Sequence, residues 1–352
     1  MRTPVFTGSC PALATPFDQN GNINYDAFGR LIDNQIEGGV DAICVCGTTG
    51  ESATMTIREH IAAVEFCVKR VDHRVKVIAG TGSNDTQFCV ELSQEAKELG
   101  ADGLLLVTPY YNKTSQKGLL ESFNYVADSV KMPCILYNVP SRTGVSFTAE
   151  SYQILSQNPK INGVKEASGN FSLLAHTRHL CGDDFYVWSG NDDQVVPMMS
   201  LGAKGVISVA SNIIPGVMRE MTHLCLDNDF QAASKLQIEY MDLIDALFCD
   251  VNPIPVKTAL NLLGWDVGRA AMLARWGSYL GWITPEEAQG ILWDLAQRAA
   301  QDLGGWREFA QSYLFGGLMW KMLCNSPAAG YLGYLADATT SLLMGKADGS
   351  GG

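Results

Sequence analysis

Short, continuous runs of β-branched and apolar residues recur along the first 210 positions, at 12–15, 42–46, 75–79, 103–108, 134–137, 161–165, 185–189 and 205–209. Their starts lie 20 to 33 residues apart, the length of one strand-plus-helix unit. The runs do not alternate apolar with polar residues, which is the pattern of parallel strands covered on both faces. Between them the apolar period lengthens to that of a helix, at 25–38, 56–71, 86–99, 116–129 and 148–156. Thr56 and Glu59 have the spacing of a capping box. Eight such units predict an α/β fold, a closed (β/α)₈ TIM barrel. An open dinucleotide-binding sheet would place a G-x-G-x-x-G after its first strand. Here the only local candidate, Gly80-Thr81-Gly82, follows the third.

After Gly264 the pattern becomes wholly helical, at 267–280, from the cap Thr284-Pro285-Glu286-Glu287 to about 303, at 306–323 and at 331–344. Six of the seven tryptophans fall in 265–352, with 8 acidic against 6 basic residues and no histidine. The expected organisation is a catalytic barrel over 1–240, a helical segment over 241–264, an all-helical C-terminal module over 265–345 and a disordered tail over 346–352.

The polar residues gather where the runs end, at Thr48-Thr49-Gly50-Glu51, Tyr110-Tyr111-Asn112, Tyr137-Asn138, Lys165-Glu166 and Ser189-Gly190-Asn191-Asp192. In a barrel these ends converge on one face, where the chemistry sits. Lys165 closes the sixth run. A lysine desolvated there is a nucleophile toward a ketone, and the resulting protonated imine withdraws electrons from the adjacent carbon. The competing reading is a structural ion pair with Glu166 or Asp192. Tyr137 ends the neighbouring run and offers a phenol for proton transfer. Thr48 and Tyr111 extend a hydroxyl chain from it toward solvent, unless these groups only hydrogen-bond substrate. Arg142 presents a fork matched to a carboxylate, and the Thr48 and Thr49 N–H groups in a turn suit a second one.

Charge and composition narrow the field. Net charge is −12 and the isoelectric point is about 4.8, which argues against nucleic acid and against anionic membranes. Ten cysteines form no C-x-x-C, and five histidines match no ligand spacing, so neither metal nor cofactor is expected. Cys44 and Cys46 should share a strand face as small buried hydrophobes in a reducing compartment. With no secretory signal at the N-terminus and no apolar stretch of membrane-spanning length, a cytoplasmic location is expected.

Residues 4–264 resemble the dihydrodipicolinate synthase family. The resemblance is carried by Gly47-Thr48-Thr49-Gly50-Glu51-Ser52-Ala53, Ala79-Gly80-Thr81-Gly82 and Val107-Thr108-Pro109-Tyr110-Tyr111-Asn112. It continues in Leu136-Tyr137-Asn138-Val139-Pro140-Ser141-Arg142-Thr143-Gly144 and Gly163-Val164-Lys165-Glu166-Ala167-Ser168-Gly169-Asn170. Gly205-Val206-Ile207-Ser208-Val209 and Asn252-Pro253-Ile254-Pro255-Val256-Lys257 complete it. It implies a lyase of lysine and diaminopimelate biosynthesis that condenses pyruvate with L-aspartate 4-semialdehyde, giving 4-hydroxy-tetrahydrodipicolinate. Lys165 would form the Schiff base. Tyr137, Thr48 and Tyr111 would relay protons, with Tyr111 supplied by a neighbouring subunit of a tight dimer within a homotetramer. Arg142 would receive the aldehyde's carboxylate, and Thr49, Gly190 and Ile207 would line the pyruvate site, mostly through backbone. The nearest rival is a sugar-acid aldolase of the same superfamily, which would share Lys165 and Tyr137. A different class of rival is a weakened barrel whose helical tail binds proteins.

Two places depart from the family. At positions that hold inhibitory lysine in regulated members, Ser52, Ala53, His60, Asn84 and Tyr110 match, whereas Ile57 replaces a histidine and Phe88 a glutamate. The residues after Gly264 instead resemble a helical bacterial domain of unknown function, through Gly264-Trp265-Asp266-Val267-Gly268-Arg269-Ala270, Ala274-Arg275-Trp276-Gly277 and Gly281-Trp282-Ile283-Thr284. The loss of the family's own terminal helices puts tetramer assembly in question.

Overall fold

The eight apolar runs build eight parallel strands: β1 (Gly8–Pro11), β2 (Ala42–Val45), β3 (Lys76–Gly80), β4 (Gly103–Val107), β5 (Cys134–Asn138), β6 (Ile161–Glu166), β7 (Tyr186–Ser189) and β8 (Gly205–Ser208). Side by side they run β1-β8-β7-β6-β5-β4-β3-β2. The remaining seam closes where Ala12 bridges Cys44 in parallel and the Leu13 N–H donates to the Cys44 carbonyl at 2.9 Å. The fold is therefore the expected (β/α)₈ barrel, seen here in a computed structural model that describes residues 2–261 together with Thr284 and Gln289.

The first strand begins earlier than the apolar pattern suggested, at Gly8 rather than Ala12. Its residues are small because it lies tight against β8: a side-chain carbon at Gly205 would stand 1.9 Å from the Gly8 carbonyl oxygen. A strand chosen for closeness carries no β-branched signature. Cys44 and Cys46 are both buried, as expected, but the expected shared strand face fails. β2 ends at Val45, and Cys46 has φ 56°, so the two cysteines do not share a strand face. The Cys46 carbonyl instead presses on β3, where a Cβ at Gly80 would meet it at 2.3 Å.

Helices follow the strands as α1 (Tyr25–Glu37), α2 (Ile57–Val71), α3 (Thr86–Glu98), α4 (Gln116–Val130), the short α5 (Pro140–Thr143), α6 (Ala149–Leu155), α7 (Phe171–Cys181) and α8 (Val195–Ser200). Then come α9 (Pro215–Leu226), α10 (Phe230–Glu239) and α11 (Met241–Leu247). Their starts are set by side-chain caps, Asn24 on α1, Asp85 on α3, Ser115 on α4, Thr148 on α6 and Asn170 on α7. Thr56 and Glu59 make the complete capping box on α2. Such caps contribute about 1 kcal/mol each by giving partners to otherwise unpaired N–H groups.

Inside the barrel, Cys10, Ala12, Ala42, Cys44, Ile78, Leu105, Ile135, Tyr137, Tyr186, Trp188 and Ile207 form one packed cluster with Phe6. Phe6 stacks on Trp188 at 5.2 Å and accepts the indole N–H on its carbonyl at 3.2 Å. The interior is a filled core, so reactants meet the protein at the strand ends.

The chain divides into two compact units, Met1–Val256 and Lys257–Gly352. Apart from Thr284 and Gln289, the expected helical module of 265–345 and the tail of 346–352 lie outside the described residues. No described helix is long and apolar enough to cross a membrane.

Candidate active site

Lys165 and Glu166 are adjacent on β6, so strand geometry sends them to opposite faces. Lys165 turns into the barrel mouth and is 5 % exposed. It is paired in register with Tyr137 of β5, and its Nζ lies 4.5 Å from the centre of the phenol ring. The electron-rich ring face favours a cationic nitrogen there. Gly190, just past β7, leaves room for the lysine chain: a Cβ at that position would stand 2.7 Å from the Ala167 Cβ and 3.1 Å from the Lys165 Cε.

Glu166 is buried on the other side of the strand. Asn138 Nδ2 donates to both its oxygens at 3.0 and 3.1 Å, the Tyr152 hydroxyl donates at 3.0 Å and the Ser168 N–H at 2.8 Å. Burial pushes its carboxyl up from the usual range while these donors pull it back. Asp192 is also buried. Its Oδ2 accepts the Val209 and Ala210 N–H groups at 2.9 Å each. Burial raises its pKa; Ser208, the two amides and the charge of Lys165 oppose that rise. Among the described residues neither carboxylate forms an ion pair with Lys165. The structural ion pair that competed with catalysis is therefore not formed. The interior thiols do not pair with the amine either. Burial pushes the Cys44 thiol up to about 11 against the opposing charge of Lys165, and it raises Cys10 well above the ordinary thiol value.

Beyond β2, Gly47–Glu51 coils into turns in which the Gly50 N–H donates to the Gly47 carbonyl at 3.1 Å and the Glu51 N–H to Thr48 at 3.0 Å. The N–H groups of Thr48 and Thr49 have no backbone carbonyl partner among the described residues. Thr49 is buried, and its hydroxyl accepts from Asn252 Nδ2 at 2.9 Å. Thr48 is half-buried. Arg142 sits on α5 immediately after β5, is exposed, and donates from one Nη to the Asn252 carbonyl at 3.4 Å. Ile207 is fully buried on β8 opposite Cys10.

The structure thus places Lys165 over the Tyr137 ring and beside Gly190, with Ile207 in the same interior cluster as Tyr137. Asn252 links Thr49 to Arg142. Thr48 and Tyr111 are not joined to Tyr137 by any hydrogen bond among the described residues. Tyr111 has φ 63° and is 92 % exposed. Two features were not assigned from sequence. The clamp of Glu166 by Asn138 and Tyr152 follows from strand alternation and was open to inference. Asn252 lies beyond the last strand, where no periodicity marks it. No group of three or more His, Cys, Asp or Glu among the described residues is arranged to hold a metal ion.

Residues 5–273 match the model of the dihydrodipicolinate synthetase family. A 4-hydroxy-tetrahydrodipicolinate synthase of Acetivibrio thermocellus is 50% identical over 272 residues, covering 77% of this chain and 92% of that protein. One from a Thermoanaerobacter species is 51% identical over 266 residues, covering 75% and 89%. Among solved structures, the dihydrodipicolinate synthase of Aquifex aeolicus superposes with a TM-score of 0.72 at 47% identity, over 74% of this chain and 88% of that one. The enzyme of Cyanidioschyzon merolae, solved with lysine bound, gives 0.72 at 40% identity over 75% and 90%. The lysine at the end of β6, the phenol beside it and the match along the whole barrel agree: the chain belongs to the dihydrodipicolinate synthetase family.

Proposed function

We propose that this chain condenses pyruvate with L-aspartate 4-semialdehyde through a Schiff base on Lys165, giving 4-hydroxy-tetrahydrodipicolinate. Family membership supports the reaction. The observation that carries the assignment of Lys165 is its position: buried at the barrel mouth, without an ion-pair partner among the described residues, its nitrogen over the Tyr137 ring.

The chemistry follows in balanced steps. The amine adds to the ketone carbon of pyruvate and the carbinolamine loses water, leaving a protonated imine. Loss of a methyl proton gives an enamine, whose carbon attacks the aldehyde. The amino group of the second substrate then adds to the imine carbon and expels Lys165 as a free amine, which closes the ring. Each step moves a proton near the imine nitrogen, where the Tyr137 hydroxyl, on the ring facing that nitrogen, is the candidate acid and base. Thr48 and a partner subunit's tyrosine equivalent to Tyr111 would carry the proton onward. The exposure of Tyr111 supports its use across an interface between two copies. The pyruvate carboxylate fits the unpaired N–H groups of Thr48 and Thr49, with Gly190 and Ile207 beside it, and the aldehyde's carboxylate fits the fork of Arg142. Pyruvate consumption measured with aspartate semialdehyde and with amino-sugar acceptors tests this reading. Turnover with the semialdehyde supports it; turnover only with sugars points to a sugar-acid aldolase.

Arg142→Ala is expected to raise the KM for aspartate semialdehyde about 10- to 100-fold, the loss of a charge-assisted hydrogen-bonded pair. Formation of the pyruvate adduct should survive, and its collapse would remove Arg142 from the aldehyde site.

Lysine is expected to inhibit weakly or not at all. His60 is buried with Nε2 at 2.8 Å from the Gly80 carbonyl, and burial holds its pKa below the ordinary histidine value. Ile57, 55 % exposed, and Phe88, half-buried, are apolar side chains with no carboxylate for a ligand's ammonium. Loss of a buried charge partner costs about 3–5 kcal/mol, more than the roughly 0.5–2 kcal/mol that a contact with the Phe88 ring returns. A lysine titration of activity checks this; sub-millimolar inhibition would mean that another carboxylate serves.

A further inference from the structure

We propose that Asn252 is a positioning residue that holds the pyruvate loop and the aldehyde-binding arginine in one register. This rests on the reaction and subsites proposed above. The side chain of Asn252 donates to the Thr49 hydroxyl at 2.9 Å, and its main-chain carbonyl accepts from Arg142 at 3.4 Å. Thr49 follows β2 and Arg142 follows β5, so one residue from beyond the last strand joins two distant parts of the barrel mouth, 203 and 110 positions away in sequence.

The pattern of bonds argues for function over packing. Asn252 is 8 % exposed. A buried amide serving only the fold is normally satisfied at both ends. Here the donor end is used on Thr49, while Oδ1 has no partner among the described residues. Leaving a buried acceptor unpaired is unfavourable, and such exceptions gather at functional sites. Both partners of Asn252 belong to substrate subsites and neither is part of the barrel's strand ladder. Asn252 does not touch the reacting atoms; it acts through Thr49, whose N–H faces the pyruvate carboxylate, and through the guanidinium of Arg142.

The test is steady-state kinetics on the full-length protein. In Asn252→Ala the pyruvate KM should rise about three- to tenfold, the loss of the one buried side-chain hydrogen bond to Thr49. The main-chain carbonyl that holds Arg142 remains, so the semialdehyde KM should rise less, with kcat within about threefold of the unaltered protein. The fully trapped Lys165–pyruvate adduct at saturating pyruvate should be unchanged. Asn252→Asp separates the two arms. Its carboxylate can accept from the Thr49 hydroxyl, so the pyruvate KM should return to within about twofold of normal. Its charge, on the residue that Arg142 already binds, competes with the substrate's carboxylate, so the semialdehyde KM should exceed that of Asn252→Ala. A purely structural role would lower the melting temperature and leave this split unmoved. An unchanged pyruvate KM in folded Asn252→Ala, or an unchanged semialdehyde KM in Asn252→Asp, overturns the proposal. If Asn252→Ala does not fold, Thr49→Val removes the same bond from the other side and must raise the pyruvate KM. Absence of any Lys165 adduct in the unaltered protein would defeat the underlying reaction; an adduct with unmoved KM values defeats only the role of Asn252.

Discussion

Lys165→Ala is expected to lose condensation activity by a factor on the order of 10⁴ or more, to the background of the assay. The reason is covalent: without the Lys165 amine no imine forms. The fold should tolerate the change. Lys165 makes no ion pair among the described residues, and its neighbours Gly190 and Tyr137 keep their backbone bonds. Circular dichroism should therefore match that of the unaltered protein while the rate vanishes. Activity above a few per cent in folded Lys165→Ala would mean that the nucleophile is elsewhere.

Tyr137→Phe should cut kcat by about 10²–10⁴-fold, the usual worth of a positioned proton donor and acceptor. This variant separates two contributions of the tyrosine. Phenylalanine keeps the ring face under the Lys165 nitrogen and removes only the hydroxyl, which has no hydrogen-bond partner among the described residues. Stability should change little, and the adduct with pyruvate should still form, more slowly. Near-normal turnover would leave the ring as a platform and assign the proton transfer to another group.

Barrel architecture was legible because eight continuous apolar runs at nearly regular intervals leave few alternatives. Helix starts were legible for a local reason: a cap residue and its partner lie three positions apart, as at Thr56 and Glu59. The first strand was not. Gly205 is selected by the approach of the Gly8 backbone, and Gly8 by its positive φ and the Asp41 carboxylate beside it, and hydrophobic pattern registers neither. The same limit applies to Cys46, whose positive φ comes from the exit of β2 rather than from its side chain.

At the site, residue type and position along one strand pointed to Lys165 and Tyr137, since each ends a strand and the strands are neighbours. The competing ion pair with Glu166 was decidable from the twofold period of a strand, because residues 165 and 166 cannot share a face. Asp192 was not decidable. Its carboxylate is taken by two N–H groups beyond β8, a tertiary contact that no local pattern announces. Asn252 and Tyr111 show the same boundary from different sides. Asn252 reaches Thr49 across 203 positions, and the work assigned to Tyr111 needs a second copy of the chain.

The central claim is that pyruvate becomes covalently attached to Lys165. Incubation of the purified protein with pyruvate and borohydride, followed by digestion and mass spectrometry, tests it directly. The account predicts a reduced pyruvate adduct on the peptide containing Lys165, absent in Lys165→Ala. A folded protein with no adduct, or with the adduct on a different lysine, would contradict it.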